Sequence, residues 1–409
     1  MHSVLLSVWS QNHRKTRGKD MLNRWQQRLL AILLIGLTLT CSGCWGRREL
    51  ETLAIVSGIA FDTAPAGKSE VYVTVQVLRI AKAESNTKGS PNEQKGYVNV
   101  SASGATVHEA LRNCTHTLSR RLFLPHNLII LFGEDLARQG IREYLDFFWR
   151  EPESRDTVWV AVTSGKAADM LDASEAVETT PSADIANLIV TRQATSFASG
   201  VNMHELGMRY ASKSAAPLTS YLAVKKDNGK NIPKITGTAV FDQDLKMVGK
   251  LTNRETRGLL LAINQFYKGV AVIKNPGGEK YASMELLKTT SSMTPEIKNG
   301  KLQMQVKVRC TSNVSEAMGD TDLMSPEVWE SLRRREAAVI DNEIMMAIAR
   351  SKQLNVDLFG FGDKVYKKYP RAWKQIESDW QEVFNSMEVK VDVNTELQRS
   401  GKLISPLIR

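Results

Sequence analysis

Val71-Tyr72-Val73-Thr74-Val75-Gln76-Val77 alternates apolar and polar side chains without a break. A period of two residues is that of a β-strand with one buried face. The segment Leu302–Cys310 repeats the alternation far downstream. Helical patterns lie between the two segments, so the chain mixes strands and helices along its length.

Two helices carry clear start signals. Thr106 is followed three residues later by Glu109, a capping box that predicts a helix running to about Arg120. Ser325 and Pro326 open the longest predicted helix, because proline at the first helical position loses no hydrogen bond. We expect this helix to end near residue 353. Its predicted buried face consists of Val328, Leu332, Ile340, Ile344 and Ile348.

Connections and short helices are also visible. Ser212–Pro217 is predicted to be a connector, and two shorter helices are expected at Gly362–Tyr369 and Ala372–Phe384. Trp373 and Trp380 lie seven residues apart on the second of these helices. At that spacing the two indoles are expected to belong to the core.

An apolar run near the amino terminus indicates export. Leu29–Thr40 is uncharged and follows Arg24 and Arg28. It is shorter than the roughly 20 apolar residues that a membrane-spanning helix needs. A basic start, a short apolar core and small residues thereafter are typical of a cleaved signal. Met21 begins a compact signal by itself, so a start of translation there remains open.

Two cysteines follow this run. Ser42-Gly43-Cys44 resembles the processing box of bacterial lipoproteins, in which the cysteine is acylated and becomes the new amino terminus. Cys44 follows a glycine, whereas Cys41 lacks a small residue directly before it, so we favour Cys44. One departure is Cys41 itself, which occupies the place usually held by an aliphatic residue. The alternatives are an ordinary cleaved signal with a chance cysteine and a buried first strand.

Composition sets further limits. The chain has 409 residues, of which 42% are hydrophobic and 24% charged, which is ordinary for a globular protein of two or three domains. The net charge of +10 falls to +5 without residues 1–43, which carry six basic residues and one acidic residue. This excess suits an anionic membrane surface. Since no basic block or basic-aromatic stripe is present, nucleic-acid binding is not expected.

The two remaining cysteines are expected to be structural. Cys114 lies in a predicted helix, and Cys310 lies on the apolar phase of a predicted strand. We expect both thiols to be buried as small hydrophobic groups. The less favoured alternative is a Cys114–Cys310 disulfide, which the export of the protein would permit.

Short segments that follow one another along the chain resemble those of a known family. They are Gly43–Trp45, Arg47–Leu50, Leu53–Asp62, Arg150–Arg155, Asn187–Thr191, Thr238–Phe241, Glu255–Leu259, Asp357–Gly362 and Pro370–Trp373. In this order they resemble the spore germination receptor C-subunit lipoproteins, the GerAC or Ger(x)C family. Gly46 departs from the family, which commonly has an acidic residue after Cys-Trp.

The resemblance implies a fold and a domain organisation. The implied fold is α+β, with two or three sheet-centred domains, mixed sheets and flanking helices, and the strand and helix patterns agree with it. Residues 1–43 would be the cleaved lipoprotein signal. Residues 44–220 would form an N-terminal α+β region, with room for two subdomains, and residues 221–409 a C-terminal α+β domain.

The resemblance also implies a location and partners. The protein would be anchored to the bilayer through acylated Cys44, on the outer face of the spore inner membrane. It would work with two integral membrane proteins, the A and B subunits of a nutrient germinant receptor, and would be required for germination.

Catalytic and ligand-binding patterns are sparse. His108 and His116 are eight residues apart, too far for one metal ion without another element. Gly360-Phe361-Gly362 lacks the third glycine and preceding strand of a dinucleotide site and predicts a turn that packs two phenylalanines. Glu151, Glu153, Arg155 and Asp156 are interpreted as a solvated loop. We therefore expect no enzyme activity, no cofactor and no metal site.

The leading interpretation is a non-enzymatic, membrane-tethered receptor subunit. The alternative is a solute-binding lipoprotein that captures the germinant directly, in a cleft between two similar lobes.

Overall fold

The structure, a computed structural model, describes residues 25–33, 35, 52–65, 70–79, 95–173, 178–192, 195–227, 230–276, 278–319, 322–323 and 325–399. The chain divides into two compact units, Met1–Leu53 and Ala54–Arg409. In the first unit, residues 25–33 form a helix (α1) whose apolar side chains are exposed. No helix in the described ranges is long and apolar enough to cross a membrane. Cys41 and Cys44 lie outside these ranges.

Ten strands among the described residues form one large sheet. They are β1 (Leu53–Asp62), β2 (Val71–Leu78), β3 (Tyr97–Gly104), β4 (Arg121–Phe123), β5 (Ile129–Gly133), β6 (Trp159–Thr163), β7 (Val201–Asn202), β8 (Leu218–Asp227), β9 (Lys230–Phe241) and β10 (Met247–Leu251). The order is β10-β9-β8-β6-β5-β1-β2-β3, with β4 beside β1 and β7 beside β6. The central β8-β6-β5-β1 pairs are parallel and the outer pairs antiparallel, so the sheet is mixed.

A second sheet has four strands among the described residues. They are β11 (Gly269–Lys274), β12 (Tyr281–Lys298), β13 (Lys301–Ala317) and β14 (Glu388–Arg399), in that spatial order. β13 and β14 pair in parallel, and the other pairs are antiparallel.

Helices flank both sheets. Those of the second unit are α2 (Val107–Asn113), α3 (Glu134–Gln139), α4 (Arg142–Arg150), α5 (Ala167–Met170), α6 (Pro181–Thr191), α7 (Met203–Tyr210), α8 (Asn253–Ala262), α9 (Pro326–Gln353), α10 (Phe361–Lys368), α11 (Pro370–Ile376) and α12 (Trp380–Ser386). Two mixed sheets with flanking helices confirm the expected α+β class. The predicted boundary between residues 220 and 221 lies within β8, and the division into domains stays a prediction.

The first alternating segment forms β2, but the expectation of one buried face is wrong. Val73, Val75 and Val77 are buried, and so are Thr74 and Gln76 from the opposite face. Separate apolar clusters cover the two faces of the large sheet. The alternation along β2 therefore reflects two different buried environments and not one buried face and one solvent-exposed face.

Gln76 is accommodated because its amide is fully used. Its Nε2 donates to Asn99 Oδ1 at 2.9 Å and to the Leu171 carbonyl at 2.7 Å. Its Oε1 accepts from the backbone N–H of Ser182 at 3.0 Å. A buried amide satisfied in this way ties β2 to the segments around α5 and α6.

Helix α2 begins as predicted but ends early. The Thr106 hydroxyl accepts from Glu109 N at 3.1 Å, and the Glu109 carboxylate accepts from Ala105 N at 2.8 Å. The helix stops at Asn113 instead of near Arg120, and one tighter turn follows. The Thr115 hydroxyl donates to the Arg112 carbonyl, and such local side-chain bonds compete with continuation of a helix.

Helix α9 has the bounds that its sequence predicts. Ser325 caps it through the Val328 N–H, and it ends at Gln353. Leu332, Ile340 and Ile344 are buried in the cluster that includes the second sheet. The predicted core positions therefore face the core.

The aromatic and thiol predictions have mixed outcomes. Trp373 and Trp380 are buried with ring centroids 5.2 Å apart, which confirms their core role. They lie on α11 and α12 rather than on one helix, because the chain turns after Ile376.

Cys114 and Cys310 are both free and buried, as expected, and burial raises the pKa of Cys114 to about 11.

Helices α8 and α9 pack backbone to backbone at Gly258. A Cβ added to Gly258 would lie well inside van der Waals contact of the Glu343 carbonyl oxygen. Gly207 on α7 differs, since a Cβ there would meet the Trp149 ring at 3.5 Å, an ordinary contact distance.

We expect Gly258→Ala to lower the free energy of unfolding by about 1–3 kcal/mol, because the helices must separate. Gly207→Ala is the matched control and should leave stability unchanged or raise it by up to about 1 kcal/mol. Equilibrium unfolding in urea measures both. Equal stabilities for the two variants would contradict the close approach of α8 and α9.

A carboxyl group is buried between α9 and the second sheet. Glu336 has no exposed surface and accepts from the Ser312 hydroxyl at 2.9 Å through Oε2, while its Oε1 has no hydrogen-bond partner among the residues that the structure describes. Burial raises the pKa of Glu336 to about 7 from an ordinary value of 4.5. The folded state therefore retains a proton that the unfolded chain releases.

This contribution of Glu336 to stability is complete below about pH 4.5 and is lost as the pH rises through about 7. The free energy of unfolding therefore falls between about pH 4.5 and 7. We expect Glu336→Gln to reduce that fall by up to about 3 kcal/mol, measured by urea unfolding across these pH values. Glu330→Gln is the control on the same helix, because Glu330 is exposed and bonds Arg333. A decline that persists unchanged in Glu336→Gln would contradict the assignment.

Candidate functional site

A buried polar junction joins elements of the two sheets. We call the loop 212–216, the segment 357–363 and Arg209 the junction. The loop connects α7 to β8, where the sequence predicts a connector, and the segment lies between α9 and the first residues of α10. The backbone N–H of Ala216 donates to the Asp357 carbonyl at 2.8 Å, which aligns the two stretches in parallel.

Asp357 is the centre of the junction. Its Oδ1 accepts from the backbone N–H groups of Phe359 at 3.1 Å and Gly360 at 2.9 Å. Its Oδ2 accepts from Gly362 N at 3.0 Å and from the Ser214 hydroxyl at 2.8 Å. Burial raises the pKa of Asp357, and the bonds from Gly362 and Ser214 oppose that effect.

A second carboxylate extends the contact. Asp363 accepts from the Ser212 hydroxyl and, at 3.0 Å, from Lys213 N. A hydrogen bond also runs in the opposite direction, because the Ser214 hydroxyl oxygen accepts from Asp363 N at 3.1 Å. Side chains and backbone of both stretches are thus bonded in both directions.

Arg209 closes the junction from α7. Its Nε donates to the Ala216 carbonyl at 2.8 Å, and its Nη2 donates to the Leu358 carbonyl at 2.6 Å. Burial lowers the pKa of Arg209 to about 10, and the charges of Asp357 and Asp363 oppose this. One guanidinium therefore holds a carbonyl from each side.

Two glycines let the backbone fold around Asp357. Gly360 has φ of 69°, in the left-handed region that favours glycine. A Cβ on Gly362 would lie 2.6 Å from the Ser214 Cβ. Phe359 and Phe361 stack with centroids 5.0 Å apart and are buried, which confirms the predicted phenylalanine-packing turn.

A buried ion pair lies between α8 and α9. Arg257 Nε donates to Glu343 Oε2 at 2.7 Å, and Nη2 bonds Oε1 of the same carboxylate. Arg257 Nη1 donates to the Val270 carbonyl of β11 at 2.7 Å. The pair is bidentate and fixes α8, α9 and β11 together.

The junction is suited to holding elements in place rather than to chemistry. Its carboxylates accept from backbone N–H groups and hydroxyls, and its guanidinium is committed to carbonyls. Catalytic groups need access to a substrate. The junction offers a rigid mechanical link between α7 and the segment after α9.

Three of the residues considered for chemistry in the sequence, His108, Glu151 and Glu153, line one cavity, whereas His116, Arg155 and Asp156 do not. His108 lies on α2 and His116 in the turn that follows it. Glu151 and Glu153 follow α4, and Arg121 approaches Glu153 at 3.9 Å. No group of three or more His, Cys, Asp and Glu side chains in the described ranges is arranged to hold a metal ion. Cys44, the predicted lipid-attachment residue, lies outside those ranges.

Arg209, Ser214 and Asp357 are not recognisable as a set from the sequence. Asp357 lay in a family-like segment and Ser214 in the predicted connector, but no spacing connects the two, which are 143 positions apart. An aspartate shortly before two glycines is a signal for a carboxylate-capped turn, which could have identified one side of the junction.

Comparison with known proteins identifies the family. Residues 46–224 match the spore germination protein N-terminal domain, and residues 236–401 match the family described as spore germination B3/GerAC like, C-terminal. The chain belongs to the GerAC-like spore germination family. The resemblance found in the sequence is therefore confirmed.

Curated relatives in this family match along nearly the whole chain. The putative spore germination protein YfkR of Bacillus subtilis is 27% identical over 91% of this chain and 96% of its own. Spore germination protein KC of the same species is 25% identical over 93% of this chain and 97% of its own length. Spore germination protein B3, also from Bacillus subtilis, is 24% identical over 89% of this chain and 96% of its own length. Membership supports a germinant receptor C-subunit role in spore germination.

A solved structure has the same fold. The crystal structure of the GerBC protein aligns with a TM-score of 0.55 at 17% identity, over 83% of this chain and 96% of that chain. Three of the GerAC-like segments noted in the sequence have structural roles here. Asp357–Gly362 forms one side of the junction, Glu255–Leu259 carries Arg257, and Leu53–Asp62 is β1 at the centre of the large sheet.

We expect Asp357→Ala to lower the free energy of unfolding by about 3 kcal/mol, because three backbone N–H groups and a hydroxyl lose a buried acceptor. Asp242→Ala is the matched control: Asp242 accepts two backbone N–H groups in a turn that water can reach, at a cost of about 1 kcal/mol. Urea unfolding measures both losses. Equal losses would contradict the central role of Asp357.

Proposed function

We propose that this chain is the lipid-anchored C subunit of a nutrient germinant receptor. In this proposal, acylated Cys44 holds it on the outer face of the spore inner membrane, where it assembles with integral A and B subunits. The observation that carries the proposal is the order of the chain: an apolar run typical of an export signal, the Ser42-Gly43-Cys44 sequence, and a family match that begins at residue 46.

Attachment at Cys44 would leave almost no spacer between the lipid and the matched domain. The N-terminal family domain begins two residues after Cys44. A tether this short confines the domain to the bilayer surface and raises its effective concentration beside membrane partners. Each buried methylene of an acyl chain adds about 0.8 kcal/mol, so two chains hold firmly where one is marginal.

The subunit would act by assembly and without catalysis. The junction and the Arg257–Glu343 pair supply rigid links between the sheet-bearing parts of the chain. A rigid body can transmit a displacement at one surface to another, whereas loosely linked parts cannot. In this proposal the C subunit thus acts as a stiff element between its partners.

The alternative, a solute-binding lipoprotein that captures the germinant, predicts two similar lobes. The two sheets differ in strand number and order, with ten and four strands in the described ranges. This difference favours the assembly role.

We expect Cys44→Ala to lose stable membrane retention, because no acyl chain can be attached. Cys41→Ala is the matched control and should fractionate with the membrane like the unchanged protein. Immunoblots of membrane and soluble fractions from spores measure both variants. Equal membrane fractions for Cys44→Ala and the unchanged protein would overturn the anchor, and loss of retention in Cys41→Ala alone would move it to Cys41.

The assembly itself has a separate test. Photo-crosslinking from an amino acid placed at exposed Met208, close to the junction on α7, should join this chain to an integral membrane protein in intact spores. The same probe in spores that lack the A and B subunits is the control. Identical crosslinked products in both kinds of spore would contradict the proposed partners.

A further inference from the structure

A cavity of about 390 Å³ lies on one flank of the large sheet and shares no lining residue with the junction. We call it the arginine pocket. Its walls come from α2, from the chain that runs from α2 through β4, and from the end of α4 with the segment after it. Its volume falls within the range of sites for small molecules.

Part of the lining is apolar. Leu111 and Leu122 are 5% and 9% exposed and belong to the core cluster, and Phe147 packs against that cluster. The Phe147 ring also meets the His108 ring edge to face, with centroids 5.6 Å apart. These side chains give the cavity a fixed surface for an apolar group.

Three arginines line the same cavity: Arg112, Arg120 and Arg121. Arg112 Nε donates to His108 Nε2 at 3.2 Å, which orients the guanidinium but leaves its charge unneutralised. Arg121 lies 3.9 Å from Glu153. Across the described part of the chain, neither Arg112 nor Arg120 forms an ion pair with a carboxylate.

The negative charges in the cavity come from a different part of the chain. Glu151 and Glu153 belong to the segment after α4. Glu151 accepts from Glu153 N at 3.3 Å and, among the described residues, has no cationic partner. The cavity therefore combines an apolar surface, guanidinium groups on one wall and a carboxylate on another.

We propose that the arginine pocket binds a free α-amino acid with an apolar side chain. The ligand carboxylate would pair with Arg112 and Arg120, because guanidinium groups suit carboxylates in geometry and charge. Its ammonium would pair with Glu151, and its side chain would cover Leu111, Leu122 and Phe147. A simple anion would pair with the arginines but leave Glu151 without a cationic partner. A simple cation would pair with Glu151 but leave the arginines without a carboxylate. A zwitterion supplies a partner for both signs of charge.

This site goes beyond the proposed function, which requires no ligand in this subunit. It rests on the lining of the cavity and not on Cys44 or on the A and B subunits. Failure of amino-acid binding would therefore leave the anchoring tests untouched, and loss of membrane retention in Cys44→Ala would leave binding untouched.

The test is isothermal titration calorimetry of the full chain in a non-ionic detergent, with L-leucine as the probe. We expect saturable binding at one site. Leucinamide, which lacks the carboxylate, and N-acetyl-leucine, which lacks the ammonium, should each bind about tenfold more weakly, since each loses a charged hydrogen bond. Glycine should also bind at least about tenfold more weakly, because it leaves the apolar surface uncovered.

Variants assign the two charges. Arg120→Gln and Glu151→Gln should each weaken L-leucine binding about tenfold. Arg150→Gln is the matched control, since Arg150 precedes Glu151 but pairs with Asp146 outside the cavity, and its affinity should stay unchanged. In Glu151→Gln, N-acetyl-leucine and L-leucine should bind about equally, which a purely structural effect of the substitution would not produce.

Circular dichroism verifies that each variant is folded. No heat from L-leucine at millimolar concentration, or equal affinity in Arg120→Gln and the unchanged protein, would overturn the proposal. Equal binding of L-leucine and leucinamide by the unchanged protein would also overturn it.

Discussion

The buried carboxylate of Asp357 is the interaction on which the arrangement of the two sheets depends. Its two oxygens accept from three backbone N–H groups and one hydroxyl, in a part of the chain closed to solvent. A buried carboxylate is costly unless its lone pairs are used, so these donors must remain in place together. Ser214 belongs to the α7–β8 loop, and this requirement therefore fixes that loop to the segment after α9.

The same constraint recurs wherever the chain buries polar groups. Gln76 is satisfied by three partners inside the N-terminal part, and Asp62 accepts the backbone N–H groups of Ala167 and Ala168 at the start of α5. Arg257 and Glu343 satisfy each other between α8 and α9. Each link joins residues far apart in sequence, so the fold is fixed by long-range polar contacts as well as by apolar clusters.

These links give physical meaning to the family resemblance. The segments that carry Asp62, Arg257 and Asp357 are among those that identify the GerAC-like family, and each supplies a buried polar side chain with partners on another element. The arginine pocket differs, because Arg112, Arg120 and Glu151 in its lining form no ion pair among the described residues. The family segment Arg150–Arg155 contributes to that cavity rather than to a structural link.

Local signals alone determined several elements. Thr106 with Glu109 fixed the start of α2, and Ser325 with Pro326 fixed that of α9, because capping depends on neighbouring residues. The long polar strand β12 escaped prediction, since much of one face meets solvent and carries little apolar periodicity. The early end of α2 also escaped, because it depends on local competition for backbone carbonyls.

The sequence by itself predicted an export signal and Cys44 as the anchor, and it determined the mixture of strands and helices and the family, because these are properties of adjacent residues and their order. Only the tertiary structure decided that Gln76 is buried, that Asp357 meets Ser214, and that Arg120 and Glu151 share a cavity. Such contacts join residues separated by long stretches of chain, and no local period encodes which distant partner a polar side chain will meet.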